Sequence, residues 1–120
     1  MQCEDAYLEE LMDRVGLSYL VPREGGWDTV KPWELVLSLG EQQRIGMARL
    51  FFHRPQFAIL DECTNAISVD VEEKLFHHAA ELGITYVTIT QRPGLVWLHQ
   101  LELRLTDKMG GWSLRRLTEC

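Results

Sequence analysis

The sequence has 120 residues, 46% hydrophobic and 25% charged, with a formal net charge of -6. This is the composition of one globular domain. The acidic balance argues against nucleic acid as the main partner, because phosphate-backbone binding needs a cationic surface, although a local anion site stays open. No apolar run approaches the roughly 18–20 residues of a membrane helix, and the acidic start Met1-Gln2-Cys3-Glu4-Asp5 lacks the apolar core of a signal peptide.

The first element reads as an amphipathic helix over 5–15. Leu8, Leu11, Met12 and Val15 recur at helical spacing, Glu9, Glu10, Asp13 and Arg14 take the other face, and Gly16 is placed to end it. Residues 17–36 lack a clear period and carry Pro22, Gly25-Gly26 and Pro32, which predicts an ordered loop anchored by Trp27 and Trp33. A second helix is predicted over 41–53, with Ile45, Met47, Ala48, Phe51 and Phe52 on a broad apolar face and Pro55 forbidding continuation.

Phe57 to Leu60 is a continuous apolar run, which predicts a strand buried on both faces. After a turn over 63–67, Ser68 is a candidate N-cap, with Asp70, Glu72 and Glu73 in the first turn. Val71, Leu75, Ala79 and Leu82 mark the apolar face of that helix, Gly83 closes it, and the β-branched run 84–90 reads as a strand. Strand, crossover helix and strand make the two strands parallel, so Asp61, Glu62 and Gln91 fall at one sheet edge. Beyond Pro93 to Trp97, the alternation at Leu101, Leu103 and Leu105 and the return over 112–117 predict a hairpin.

Ser38 to Glu41 has the Ser-x-x-Glu spacing of a capping box, which needs no ligand. The alternative is a helix N-terminus, opened by Gly40, that presents free N–H groups to a phosphate. Asp61 and Glu62, placed at the end of a buried strand, would cost desolvation unless paired or metal-bound, whereas an ordinary solvated turn is the competing reading. Gln91 can exchange hydrogen bonds but cannot take up a proton. His53, His77, His78 and His99 do not form a ligand set, since His77 and His78 cannot share a helix face. Cys3, Cys63 and Cys120 are odd in number and widely spaced, without CxxC, so neither zinc nor a disulfide framework is indicated. Nothing beside Cys63 supplies a base for nucleophilic chemistry.

Order and spacing change the weight of these features together. Leu37-Ser38-Leu39-Gly40-Glu41-Gln42-Gln43-Arg44 resembles the signature loop of ATP-binding-cassette (ABC) nucleotide-binding domains. Phe57 to Glu62 resembles the Walker B strand, Cys63 to Ser68 the D-loop, and Gln91 occupies the switch-histidine position. Arg23-Glu24-Gly25-Gly26-Trp27, the run Arg44 to Arg49, Asp61-Glu62-Cys63-Thr64 and Gly110-Gly111-Trp112 are similar to the peroxisomal fatty-acid and acyl-CoA transporters. Asn65 with Gln91-Arg92-Pro93 looks most like the second ATPase domain of the plant-type fused transporter.

The resemblance implies an α/β fold: a partial P-loop NTPase domain with a helical-subdomain segment, parallel strands and a C-terminal hairpin. Residues 1–40 would be the helical-subdomain remnant and 41–120 the signature helix and C-terminal half of the ATPase core. It implies ATP and magnesium as cofactors. Ser38, Gly40 and Glu41 would meet an ATP held by the opposite nucleotide-binding domain in a head-to-tail dimer. Asp61 would support magnesium through water, Glu62 would be the general base, and Gln91 would stand near the γ-phosphate. The other partners would be a transmembrane domain and a fatty acyl-CoA-class substrate, at the cytosolic face of the peroxisomal membrane, with no nucleic acid.

Three positions depart from the family pattern: Leu39 replaces the first signature glycine, Ser68 the usual aspartate, and Gln91 the histidine. No GxxxxGK[ST] occurs, so the expectation is a C-terminal fragment that cannot hydrolyse ATP alone, with an open apolar sheet edge. The alternatives are a fragment of a soluble ABC-type ATPase in repair or translation, or a non-catalytic truncated product.

Overall fold

The computed structural model describes residues 4–117. Cys3 and Cys120 of the cysteine analysis, and Met1 and Gln2 of the acidic start, lie outside them. The chain divides into two compact units, one through Ile89 and one from Thr90.

The first unit opens with α1 (Asp5–Arg14). Its predicted stripe holds, since Leu11 and Val15 are buried and Met12 packs against the same core. Gly16 takes the left-handed conformation that ends the helix, and Leu17 N–H closes back on the Met12 carbonyl at 2.7 Å. The stretch 17–36 is not a loop throughout. It holds α2 (Leu20–Glu24) and α3 (Trp33–Val36), of five and four residues. Helices this short span about one turn, too few residues to show a period. Trp33 packs against the core as predicted, whereas Trp27 is 40% exposed.

Helix α4 (Leu39–His53) starts two residues earlier than predicted, so Gly40 lies within its first turn. Met47, Ala48 and Phe51 are buried, but Phe52 is 41% exposed because it lies at the margin of the buried stripe. The helix ends at Arg54, left-handed at φ 45 and directly before Pro55.

Strand β1 (Phe57–Asp61), helix α5 (Val69–Glu81) and strand β2 (Thr85–Ile89) form the predicted parallel unit, with Asp61 in register with Ile89. Leu75, Phe76 and Ala79 of α5 are fully buried, and Phe76 meets Tyr86 edge-on at 5.0 Å between ring centroids. Ser68 stands at the N-cap of α5, but its side chain makes no capping bond. The prediction that β1 is buried on both faces fails. Leu60 is buried, whereas Phe57 and Ile59 are 67% and 75% exposed, and Val87, in register with Ile59, and Ile89 of β2 are also exposed. An apolar run signals that both faces suit burial, but among the described residues only one face is covered.

The second unit carries a 3-10 helix (Pro93–Leu98) and an antiparallel hairpin of β3 (Leu101–Leu105) and β4 (Trp112–Arg116), as the alternation predicted. Glu102 on one face of the hairpin pairs with Arg115 at 2.7 Å. Leu103 lies opposite Leu114, and Leu105 opposite Trp112, on an exposed apolar face.

Candidate functional site

The start of α4 is built as the capping box its sequence predicts. Ser38 Oγ accepts the Glu41 N–H at 3.1 Å, and Glu41 Oε1 accepts the Ser38 N–H at 2.9 Å. The Glu41 carboxylate does more than cap. Its Oε2 also accepts the Tyr19 hydroxyl at 2.6 Å and Arg23 Nη1 at 2.9 Å, so a residue only 9% exposed stays charged. The Tyr19 bond, then the Ser38 N–H and Arg23, hold the Glu41 carboxyl down to about 2 from an ordinary 4.5. The same carboxylate raises the Tyr19 hydroxyl above its usual value. Arg23 also stacks over the Tyr19 ring at 5.4 Å and pairs with Glu24, which Lys31 meets from the other side. Tyr19 and Arg23 thus tie α2 and the turn before it to the N-terminus of α4. Two of the orphan N–H groups there are satisfied internally, by Ser38 and Glu41. Leu39, which replaces the first glycine of the resembled loop, is exposed.

Gly40 is required by contact. A Cβ on it would lie 2.9 Å from the Ala66 carbonyl oxygen, so a side chain would push α4 away from the 63–67 turn. Gln43 crosses the same gap. Its Oε1 accepts the Ala66 N–H at 2.8 Å, and its Nε2 donates to Asn65 Oδ1 at 2.5 Å and, more weakly, to the Glu62 carbonyl at 3.5 Å. On the far side of the turn, Thr64 Oγ1 donates to the buried Glu72 carboxylate at 2.5 Å. Gln43, Thr64, Glu72 and Tyr19 carried no signal of these roles in the sequence, because each pairs with a residue one turn or more away on another element.

Asp61 and Glu62 end β1. Both are exposed, so the desolvation argument for a paired or metal-bound state does not hold. What distinguishes the pair is backbone geometry. Glu62 is left-handed at φ 48, and its N–H is fixed to the Ile89 carbonyl at 2.8 Å. A non-glycine residue in that region is uncommon, and such conformations cluster at functional sites. Cys63 follows half-buried, its Sγ 4.0 Å from Met47 Sδ, and burial pushes its thiol up, away from nucleophilic use. Gln91 is exposed two residues beyond β2, at the start of the second unit.

Asp61 is an exposed carboxylate at the strand end, an oxygen donor of the type magnesium takes. Among the described residues no His, Cys, Asp or Glu group of three or more could hold a metal ion. Magnesium commonly keeps several waters and binds through one or two carboxylates plus substrate phosphates, which Asp61 at an open strand end permits.

A family model for ABC transporters matches residues 3–65, which contain the capped helix, the carboxylate strand end and Asn65. ABC transporter D family member 1 of Arabidopsis thaliana is 56% identical over 116 residues, covering 96% of this chain and 9% of that protein. ATP-binding cassette sub-family D member 3 of Mus musculus is 49% identical, covering 96% of this chain and 17% of the relative. The lysosomal cobalamin transporter ABCD4 of Mus musculus is 39% identical, covering 95% and 19%. The chain therefore spans less than a fifth of the length of each of these relatives. With the family match covering more than half of its residues, including every predicted site residue but Gln91, this chain belongs to the ABC transporter family.

Proposed function

We propose that this chain contributes to two ATP sites shared with an opposite nucleotide-binding domain, the Ser38 helix start to one and the Asp61-Glu62 strand end to the other, in a transporter of the peroxisomal fatty-acid and acyl-CoA class. The observation that carries the reading is the direct joining of the Ser38-capped helix to the turn that follows Asp61 and Glu62, through Gly40 and Gln43. In this reading Ser38 and Gly40 face the γ-phosphate of an ATP held by the opposite nucleotide-binding domain, and Glu41 acts by holding the helix start that presents them. Asp61 would help hold magnesium, which would supply charge neutralisation at the phosphates. Glu62 takes a proton from the water whose oxygen bonds to the γ-phosphorus of the ATP held by its own domain, as the bond to the ADP oxygen breaks. Gln91 holds water or phosphate by hydrogen bonds and takes no proton.

The glycine–lysine phosphate cradle has no counterpart in residues 1–120, so this chain does not hydrolyse ATP by itself. Its partners are the opposite nucleotide-binding domain and a transmembrane domain, and its place is the cytosolic face of the peroxisomal membrane. No helix among the described residues is long and apolar enough to cross a membrane. The fatty acid or acyl-CoA cargo is what the motif resemblance implies, and the relatives at 49–56% identity are D-family transporters. A relative at 39% identity is named for cobalamin, which favours a second reading in which the membrane region alone decides the cargo.

The test is Glu62→Gln in the full-length protein that carries this segment. ATP turnover should be lost while ATP binding is retained. Unchanged turnover would remove Glu62 as the base. Vesicle uptake assays with acyl-CoA and cobalamin separate the two cargo readings.

A further inference from the structure

We propose that Gln43 is a positioning residue that locks the start of α4 to the turn carrying Glu62, so that one chain couples two ATP sites. The proposal rests on the reading of Ser38 and Glu62 given above. In that reading the α4 N-terminus faces an ATP held by the opposite domain, whereas Glu62 serves the ATP of its own domain. Whatever joins α4 to Glu62 therefore joins the two sites.

The geometry favours Gln43 for three reasons. First, its amide works in both directions, accepting from Ala66 N–H at 2.8 Å and donating to Asn65 Oδ1 at 2.5 Å. A rotated amide would set donor against donor at Ala66, so the pairing fixes the orientation of the side chain. Second, Gly40 lets the backbones approach until a Cβ would sit 2.9 Å from the Ala66 oxygen, which keeps the span short enough for one glutamine to bridge. Third, the turn is held from its other side by the bond of Thr64 to the buried Glu72 carboxylate of α5, and Glu62 itself is held to β2 at the Ile89 carbonyl. Glu62 lies between these anchors in a left-handed conformation. Gln43 is the hydrogen-bonded link from α4 to the turn beside the Gly40–Ala66 and Met47–Cys63 contacts, so a displacement of α4 is passed to the turn through it.

The experiment uses the full-length protein and three variants, Gln43→Met, Gln43→Glu and Glu62→Gln. Gln43→Met keeps side-chain length and helix propensity but removes both polar bonds. It should speed hydrogen exchange across 62–67 while 45–53 stays protected. It should also lower kcat about tenfold or more with the KM for ATP within about twofold, the signature of misplacement rather than lost binding. Gln43→Glu keeps an acceptor for Ala66 N–H, and Asn65 can turn its amide to donate, so it should restore both protection and most of the turnover. Unchanged exchange in Gln43→Met overturns the clamp. Faster exchange with unchanged kcat overturns its positioning role. Turnover that survives in Glu62→Gln refutes the ATPase reading of Glu62 and with it the coupling, whatever the exchange data show.

Discussion

The Tyr19 hydroxyl donates to the Glu41 carboxylate at 2.6 Å, across 22 residues of sequence, and this bond contributes most to keeping Glu41 ionised. A helix cap, ordinarily a local device, is here braced by a separate helical segment. Arg23 adds a charged contact to the same oxygen.

The pH dependence follows. Because the folded-state value of Glu41 is depressed to about 2 from 4.5, its contribution to stability is complete above about pH 4.5 and is lost as pH falls toward 2. After allowance for solvent screening, that loss is on the order of 1–2 kcal/mol. Tyr19→Phe should cost about 1 kcal/mol at pH 7 and shrink the acid-limb slope. Urea melts of both chains at pH 7, 4 and 3 measure this, and parallel acid limbs would refute the assignment.

Gly40→Ala should destabilise by about 1–3 kcal/mol, because the added methyl meets backbone, not a side chain able to turn away. The usual helix preference for alanine over glycine, about 1 kcal/mol in the opposite direction, makes the sign informative. A thermal midpoint that rises in Gly40→Ala would show that the contact with Ala66 yields freely.

Glu62 separates backbone demand from chemistry. At φ 48 and exposed, its replacement by Gly should leave stability within about 1 kcal/mol, whereas Glu62→Val should cost about 1–2 kcal/mol through the left-handed penalty alone. Both should lose ATP turnover in the full-length protein. Equal stabilities of the Gly and Val variants would show that the conformation relaxes on substitution.

The exposed sheet face predicts the behaviour of the isolated chain. Phe57, Ile59, Val87 and Ile89 make an exposed apolar surface on a sheet that has two strands among the described residues. Sedimentation should show concentration-dependent association, reduced when Ile59→Thr and Val87→Thr are combined. The isolated chain should bind MgATP no tighter than about millimolar, since phosphate cradles of this class need the glycine–lysine turn. Micromolar binding by calorimetry would contradict that.

What the sequence determined by itself was local. The stripe of α1, the capping box from Ser38 to Glu41, the stop before Pro55 and the alternation of the hairpin rest on spacings of a few residues. The parallel pairing of β1 and β2 followed from the handedness of a crossover helix, a chain-geometry rule that needs no partner outside the segment. Two things were decided only in three dimensions. One is which contacts brace the site: Tyr19 and Arg23 reach Glu41, and Gln43 reaches Asn65 and Ala66, across 18 to 23 residues. Polar side chains of this kind leave no periodic trace, since any of them would serve equally well facing water. The other is cover. The apolar run from Phe57 to Leu60 states that both of its faces suit burial, but burial belongs to the pair of surfaces that meet. Only the fold reveals that Leu60 finds its partner within these residues while Phe57 and Ile59 do not.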